Sequence, residues 1–183
     1  TAPVGIVRIR TATTNDYWVA DHLRGFCRYA KLSAAAPFTL DPATCLTGGP
    51  TAVGKPHWDS DNNFLYIPDL SSASRGVWRY TYTPATRRFG TPRLMGTNGG
   101  GLGAQRPHTV ALGPDGSLYA GTLRNANIYR ITTPEAAAQT VTIVGSTNDA
   151  LSPVDMAFVG ANLWIAQSAS ISRVNAIRNC TST

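Results

Sequence analysis

One strand pattern occurs four times with an aromatic at its second position, and a second strand built around an arginine follows each copy. Together they predict an all-β fold, a β-propeller of about four blades with four antiparallel strands each. The first pattern reads YWVAD from Tyr17, LYIPD from Leu65, LYAGT from Leu118 and LWIAQ from Leu163. Its aromatics, Trp18, Tyr66, Tyr119 and Trp164, fall 48, 53 and 45 residues apart. The second reads GFCRY, GVWRY, NIYRI and SISRV, with Arg28, Arg79, Arg130 and Arg173 spaced by 51, 51 and 43 residues. A strand alternates its faces, so an arginine between apolar residues stands on the opposite side from them. Units of this length cannot bury both sheet faces alone and must stack side by side. A two-sheet sandwich also yields many short strands. It gives no reason for the same aromatic and the same arginine in every unit. Residues 1–183 are read as a single propeller domain, with blades at about 1–50, 51–97, 104–147 and 150–183.

Each unit is expected to open on an inner strand led by proline. KPHWDSDNNFLYIPD, RPHTVALGPDGSLYAG and SPVDMAFVGANLWIAQ run proline, short apolar strand, turn, strand. DSDNN and GPDG carry hairpin-turn chemistry. The first unit uses VGIVRIRTATTNDYWVAD, with a longer turn. The outer element is fainter: FTLDPATC and YTPATRRFG share a Pro-Ala-Thr turn, QTVTIVGST follows the third copy, and NAIRNCTST reads as the last outer strand. TPEAAAQ at 133–139 is expected to form one helical turn between strands.

This order resembles the NHL-repeat type of β-propeller. The resemblance rests on the proline-led strand, the turn, the LY-apolar strand with Asp21 or Asp69 after it, and the apolar-x-Arg-apolar strand. Copies three and four place Thr122 and Gln167 where the Asp stands, so the Asp is expected to serve the turn alone. The resemblance implies a six-bladed ring, whereas four units stand here. A closed four-bladed ring, part of a larger propeller, and an arc completed by a second chain all remain open. Propellers of this look accompany extracellular multihaem cytochromes and surface assemblies. In such a setting His22, His57 or His108 would face a partner's cofactor. Gluconolactonase-like propellers, by contrast, hold a metal with carboxylates on the channel axis. Glu135 is the one glutamate of this chain and sits in a connector, which is poor material for that site.

Composition narrows the classes further. The 183 residues are 43% hydrophobic, which suits a globular chain. No apolar run approaches the roughly 20 residues of a membrane span. The net charge is +6, carried almost wholly by arginines set singly along the chain, so a nucleic-acid surface is not expected. Thr1 in place of a methionine fits a processed product, and no signal peptide is readable. Of three cysteines, Cys27 and Cys45 lie 18 residues apart beside strand-like text and are expected to pair. That pairing implies an oxidising compartment: secreted, cell-surface or periplasmic. Cys180 has no assigned partner.

Candidate sites are few. His57 and His108 both follow a proline, which gives them the same repeat position, and Asp155 stands near that place in the fourth copy. If the inner strands line a channel, these three would offer a site for a divalent metal. A metal-dependent hydrolase or lyase is the alternative they define. DSDNN lacks the glycine and distant glutamate of a calcium loop and reads as a plain turn. GGGLGA at 99–104 matches a dinucleotide fingerprint by letter, but Gln105-Arg106-Pro107 follows it rather than a helix. Gly99, Gly100, Gly101, Gln105 and Arg106 are therefore assigned to an interblade loop that binds a partner. A carbohydrate-binding propeller is the third reading, with Trp58 and Trp78 as its aromatics. No nucleophile elbow or His-Glu-x-x-His occurs. The leading expectation is a non-catalytic binding or scaffold module that joins a protein partner or itself, needs no cofactor and spans no membrane.

Overall fold

The computed structural model describes residues 3–10, 15–21, 24–31, 37–71, 76–96, 102, 105–147, 152–167 and 171–174. Four antiparallel sheets succeed one another along the chain. The first holds β1 (Pro3–Arg10), β2 (Asn15–Asp21), β3 (Gly25–Lys31) and β4 (Phe38–Asp41) in sequence order. The second holds β5 (His57–Asp59), β6 (Phe64–Asp69) and β7 (Gly76–Thr83). Its outer edge is split between β8 (Arg88–Phe89) and β9 (Arg93–Met95), both paired with β7. The third holds β10 (Pro107–Leu112), β11 (Leu118–Thr122), β12 (Asn127–Ile131) and β13 (Val141–Ser146). The fourth holds β14 (Pro153–Val159), β15 (Asn162–Gln167) and β16 (Ile171–Val174). Simple up-and-down order in every sheet, with sheets stacked face to face, is propeller architecture.

The repeat signals become register. Trp18 faces Arg28, Tyr66 faces Arg79, Tyr119 faces Arg130 and Trp164 faces Arg173 across neighbouring strands. Directly opposed residues share a sheet face. Trp18, Tyr66 and Tyr119 therefore stand on the side that meets the next blade. One cluster joins Trp18, Ala20 and Phe26 of the first sheet to Leu65, Ile67 and Tyr82 of the second. Another joins Tyr66 and Val77 to Leu118, Ala120 and Tyr129, and a third joins Tyr119 and Ile128 to Leu163 and Ile165. The core thus lies between blades, not within them. Each fully buried large side chain contributes about 2–3 kcal/mol, and edge-on aromatic contacts such as Trp18–Phe89 at 4.8 Å add to it. Among the described residues no comparable packing joins the fourth sheet to the first.

The position that carries the Asp is structural. Asp21, Asp69, Thr122 and Gln167 are all buried, each at the end of its second strand. Asp69 accepts from the amides of Ala52 and Ser71 and from the Trp78 indole at 2.9–3.3 Å. Thr122 donates instead, to Asn125 and to the Asn127 carbonyl. Either side chain ties up a loop. DSDNN is likewise a turn: the Asp59 carboxylate accepts from the amides of Asp61 and Asn62 and from the Asn62 side chain. The helical turn expected at 133–139 is corrected. That stretch forms turns and bends only, led by Ala136 N–H to the Thr133 carbonyl, and Thr133 at φ 45° stands outside the right-handed helical region.

Candidate functional site

The inner strands converge on Lys55. Pro3, Val53, Pro107 and Pro153 pair with the four buried loop residues Asp21, Asp69, Thr122 and Gln167. From there Gly5, Lys55, Thr109 and Asp155 fall at one common place. Lys55 donates its amide to the His108 carbonyl at 2.7 Å and lies beside Thr109 in a parallel bridge. Its ammonium pairs with the Asp155 carboxylate two blades away. His108 donates Nδ1–H to the Pro153 carbonyl at 3.2 Å. Blades two, three and four are thus laced together at their inner edges.

That register corrects the reading of the two histidines. His57 pairs with Tyr66, and the residue paired with Tyr119 is Ala111, not His108. His108 takes the place of Gly54 and Val154, three residues earlier. The cause is turn length. Asp59 closes its turn at once and leaves β5 only three residues long, so the Pro-His dipeptides fall at different depths. His57 is half-buried, and burial pushes its imidazole below the usual 6.5, with the Asp59 carboxylate acting the other way. Asp155 holds Lys55 and caps the Met156 amide. Among the described residues no three His, Cys, Asp or Glu side chains stand close enough together to hold a metal ion.

The other assigned residues are placed as follows. Gly99, Gly100, Gly101, His22 and Cys180 lie outside the described residues. Gln105 and Arg106 tie blade two to blade three: the Arg106 guanidinium donates to the Leu70 carbonyl at 3.2 Å, and both carbonyls accept amides from Leu123 and Arg124. Cys27 and Cys45 form a disulfide. Within blade two Trp58 packs edge-on against Tyr82 at 5.7 Å and Trp78 donates its indole N–H to Asp69; both also pack against the cluster between blades one and two. The Asp16–Arg87 pair, which joins blade one to blade two with both carboxylate oxygens engaged, was not foreseen. Its only signal was Arg87–Arg88, the single adjacent pair of arginines.

The two ends of the array expose apolar surface. Ile6 occupies the place of Val110 and Met156. Those two are 3% and 5% exposed beneath the preceding blade, whereas Ile6 is 63% exposed. It lines a groove of about 700 Å³ with Val4, Val19 and Tyr29. At the far end Val159 takes the place of Ile9, and the two are 64% and 1% exposed.

Fold and register define a β-propeller. No family model and no curated protein matches the sequence, but solved propeller structures do match. A streptogramin B lyase structure superposes with a TM-score of 0.60 at 20% identity, over 94% of this chain and 51% of its own. The β-propeller domain of Cps50 (Swd1) from Myceliophteria thermophila gives 0.56 at 10% identity, over 93% and 52%. The PQQ-bound aldose sugar dehydrogenase of Streptomyces coelicolor gives 0.51 at 13% identity, over 96% and 82%. Such identities express a shared fold. The chain spans about half the length of the first two.

Proposed function

We propose that this chain is a non-catalytic binding module, an NHL-type propeller arc that enters a protein assembly through its two apolar ends. The exposure of Ile6 carries the reading. The same position is buried by the preceding blade in the third and fourth units, and the first sheet presents it to solvent. Val159 repeats the observation at the other end. Each end therefore offers one half of an interface that the chain builds three times internally. A further blade-like sheet face fits each end, and a second copy of the chain carries both halves, so head-to-tail pairing would let each end cover the other. The Cys27–Cys45 disulfide supports a secreted, cell-surface or periplasmic setting. No described helix is long and apolar enough to cross a membrane.

Sedimentation of the purified, oxidised chain tests the reading. The expected result is concentration-dependent association beyond the 19.4 kDa monomer, abolished by Ile6→Arg and by Val159→Arg with the melting temperature of the monomer unchanged. A chain that stays monomeric at all concentrations, or associates equally well in both variants, overturns it.

A further inference from the structure

Blades one and two enclose a second feature, separate from the ends. The segment after β4, the turn between β7 and β8, and the edges of β2 and β3 surround a pocket of about 540 Å³. Its wall carries Arg28, Arg87, Arg88 and Thr47, and no carboxylate-bearing residue lines it. Arg28 bonds Asp41 at 2.7 Å and Arg87 bonds Asp16, neither partner lining the pocket. Arg88 makes no ion pair among the described residues.

The wall also holds two unmet donors. Trp18 is 2% exposed, and its indole N–H has no acceptor. Arg28 Nε–H has none either. The two residues are directly opposed in the β2–β3 register, so both donors rise from one sheet face. A buried donor without an acceptor costs about 1–3 kcal/mol. Two such donors on one sheet face, in the wall of a pocket that also carries Arg88, fit an oxygen-rich anion. Planar guanidiniums bind carboxylate and phosphate oxygens in paired bonds. The pocket is many times larger than an inorganic ion, and its hydroxyl and guanidinium lining suits a hydroxylated ligand. The Cys27–Cys45 bond and the Leu46 N–H to Phe26 carbonyl bond at 2.9 Å fix its wall to β3.

We infer that this pocket binds a sugar-sized oxyanion, a sugar acid or a sugar phosphate, through Arg88 with the Trp18 and Arg28 donors. The site does not depend on association of the ends. Titration calorimetry on the oxidised full chain at low salt tests it, with glucuronate and glucose 6-phosphate as anionic probes and glucose as the neutral control. At least one anion is expected to bind while glucose does not, and the pair separates carboxylate from phosphate recognition. Arg88→Ala is expected to weaken binding about tenfold with the fold intact, and the remote Arg124→Ala to leave it unchanged. The Trp18 indole N–H resonance, assigned by its loss in Trp18→Phe, is expected to move downfield on binding. The assignment is overturned if neither anion binds at millimolar concentration, if glucose binds as well, or if Arg88→Ala and Arg124→Ala weaken binding equally.

Discussion

Replacing Gly54 with alanine puts one carbon where two blades meet. The new Cβ would lie 2.3 Å from the His108 carbonyl oxygen, 2.9 Å from its carbon and 2.9 Å from Pro68 Cγ. Two of those atoms are backbone and cannot rotate away. Gly54 has no positive φ, so the conflict is steric and not conformational. Relief requires the inner strands of blades two and three to part by about 1 Å, enough to restore ordinary contact. That separation stretches the Lys55 N–H to His108 bond at 2.7 Å, and relief of the Pro68 contact within blade two stretches the Gly54 N–H to Pro68 carbonyl bond at 2.9 Å. Two weakened bonds at about 1 kcal/mol each, together with overpacking of about 1–3 kcal/mol, give a loss of about 3–5 kcal/mol. For a chain of this length that lowers the melting temperature by roughly 6–20 °C. Gly145→Ala in β13 is the control, since its Cβ meets nothing within 4 Å. It is expected to be neutral or to stabilise by a few tenths of a kcal/mol. Urea unfolding followed by circular dichroism measures both variants. If Gly54→Ala falls within about 0.5 kcal/mol of Gly145→Ala, the abutment of the inner strands does not stabilise the fold and the register argument fails.

Three further outcomes are expected. Cys27→Ser with Cys45→Ser opens a bridge between residues 18 apart and should cost about 3 kcal/mol by loop-closure entropy; mass spectrometry after alkylation without reductant should find neither cysteine modified in the native chain. His57 has a lowered folded pKa, so the unfolded chain takes up its proton first. Its contribution is complete above about 6.5 and is lost as pH falls from there through the folded value. The stability difference between the native chain and His57→Gln should therefore shrink between pH 7.5 and pH 5, and a difference that grows would refute the burial argument. Arg87→Ala strands the Asp16 carboxylate, whose side chain is 3% exposed, and should cost about 3 kcal/mol or more. Lys55→Ala breaks a half-exposed pair and should cost under about 1 kcal/mol; equal losses in denaturant titrations would contradict that ranking.

Local pattern carried the second and third strands of each blade, because an aromatic and an arginine opposed across one pair of strands need no knowledge of anything distant. The Cys27–Cys45 bond was legible for a similar reason, as two cysteines flanking one blade's outer turn. The meeting point of the inner strands was not legible, because those strands meet their neighbours at depths set by turn length. Lys55, Thr109 and Asp155 share one place in the fold, yet they stand eleven, ten and nine residues before Tyr66, Tyr119 and Trp164. No single linear alignment brings them together. Aligning on proline brought His57 and His108 together instead, and pairing across the hairpins separates them.

The repeat itself supplies the standard against which function can be sought. A pattern written four times predicts equal burial at equal positions, because the local strand chemistry is the same. Val110 and Met156 obey it, and Ile6 does not. Nothing in β1 explains the difference: the strand is paired, in register, and apolar at that position like the others. The difference comes from what lies against the strand, a preceding blade in two cases and solvent in the third. An apolar residue kept at a blade-facing position on an end blade is thus a statement about a neighbour, and the chemistry of that neighbour is given by the interfaces already made. Leu118 and Ala120 meet Tyr66 and Val77, and Leu163 and Ile165 meet Tyr119 and Ile128. The surface that completes the first blade should therefore present an aromatic with a β-branched apolar residue beside it on a β-sheet face.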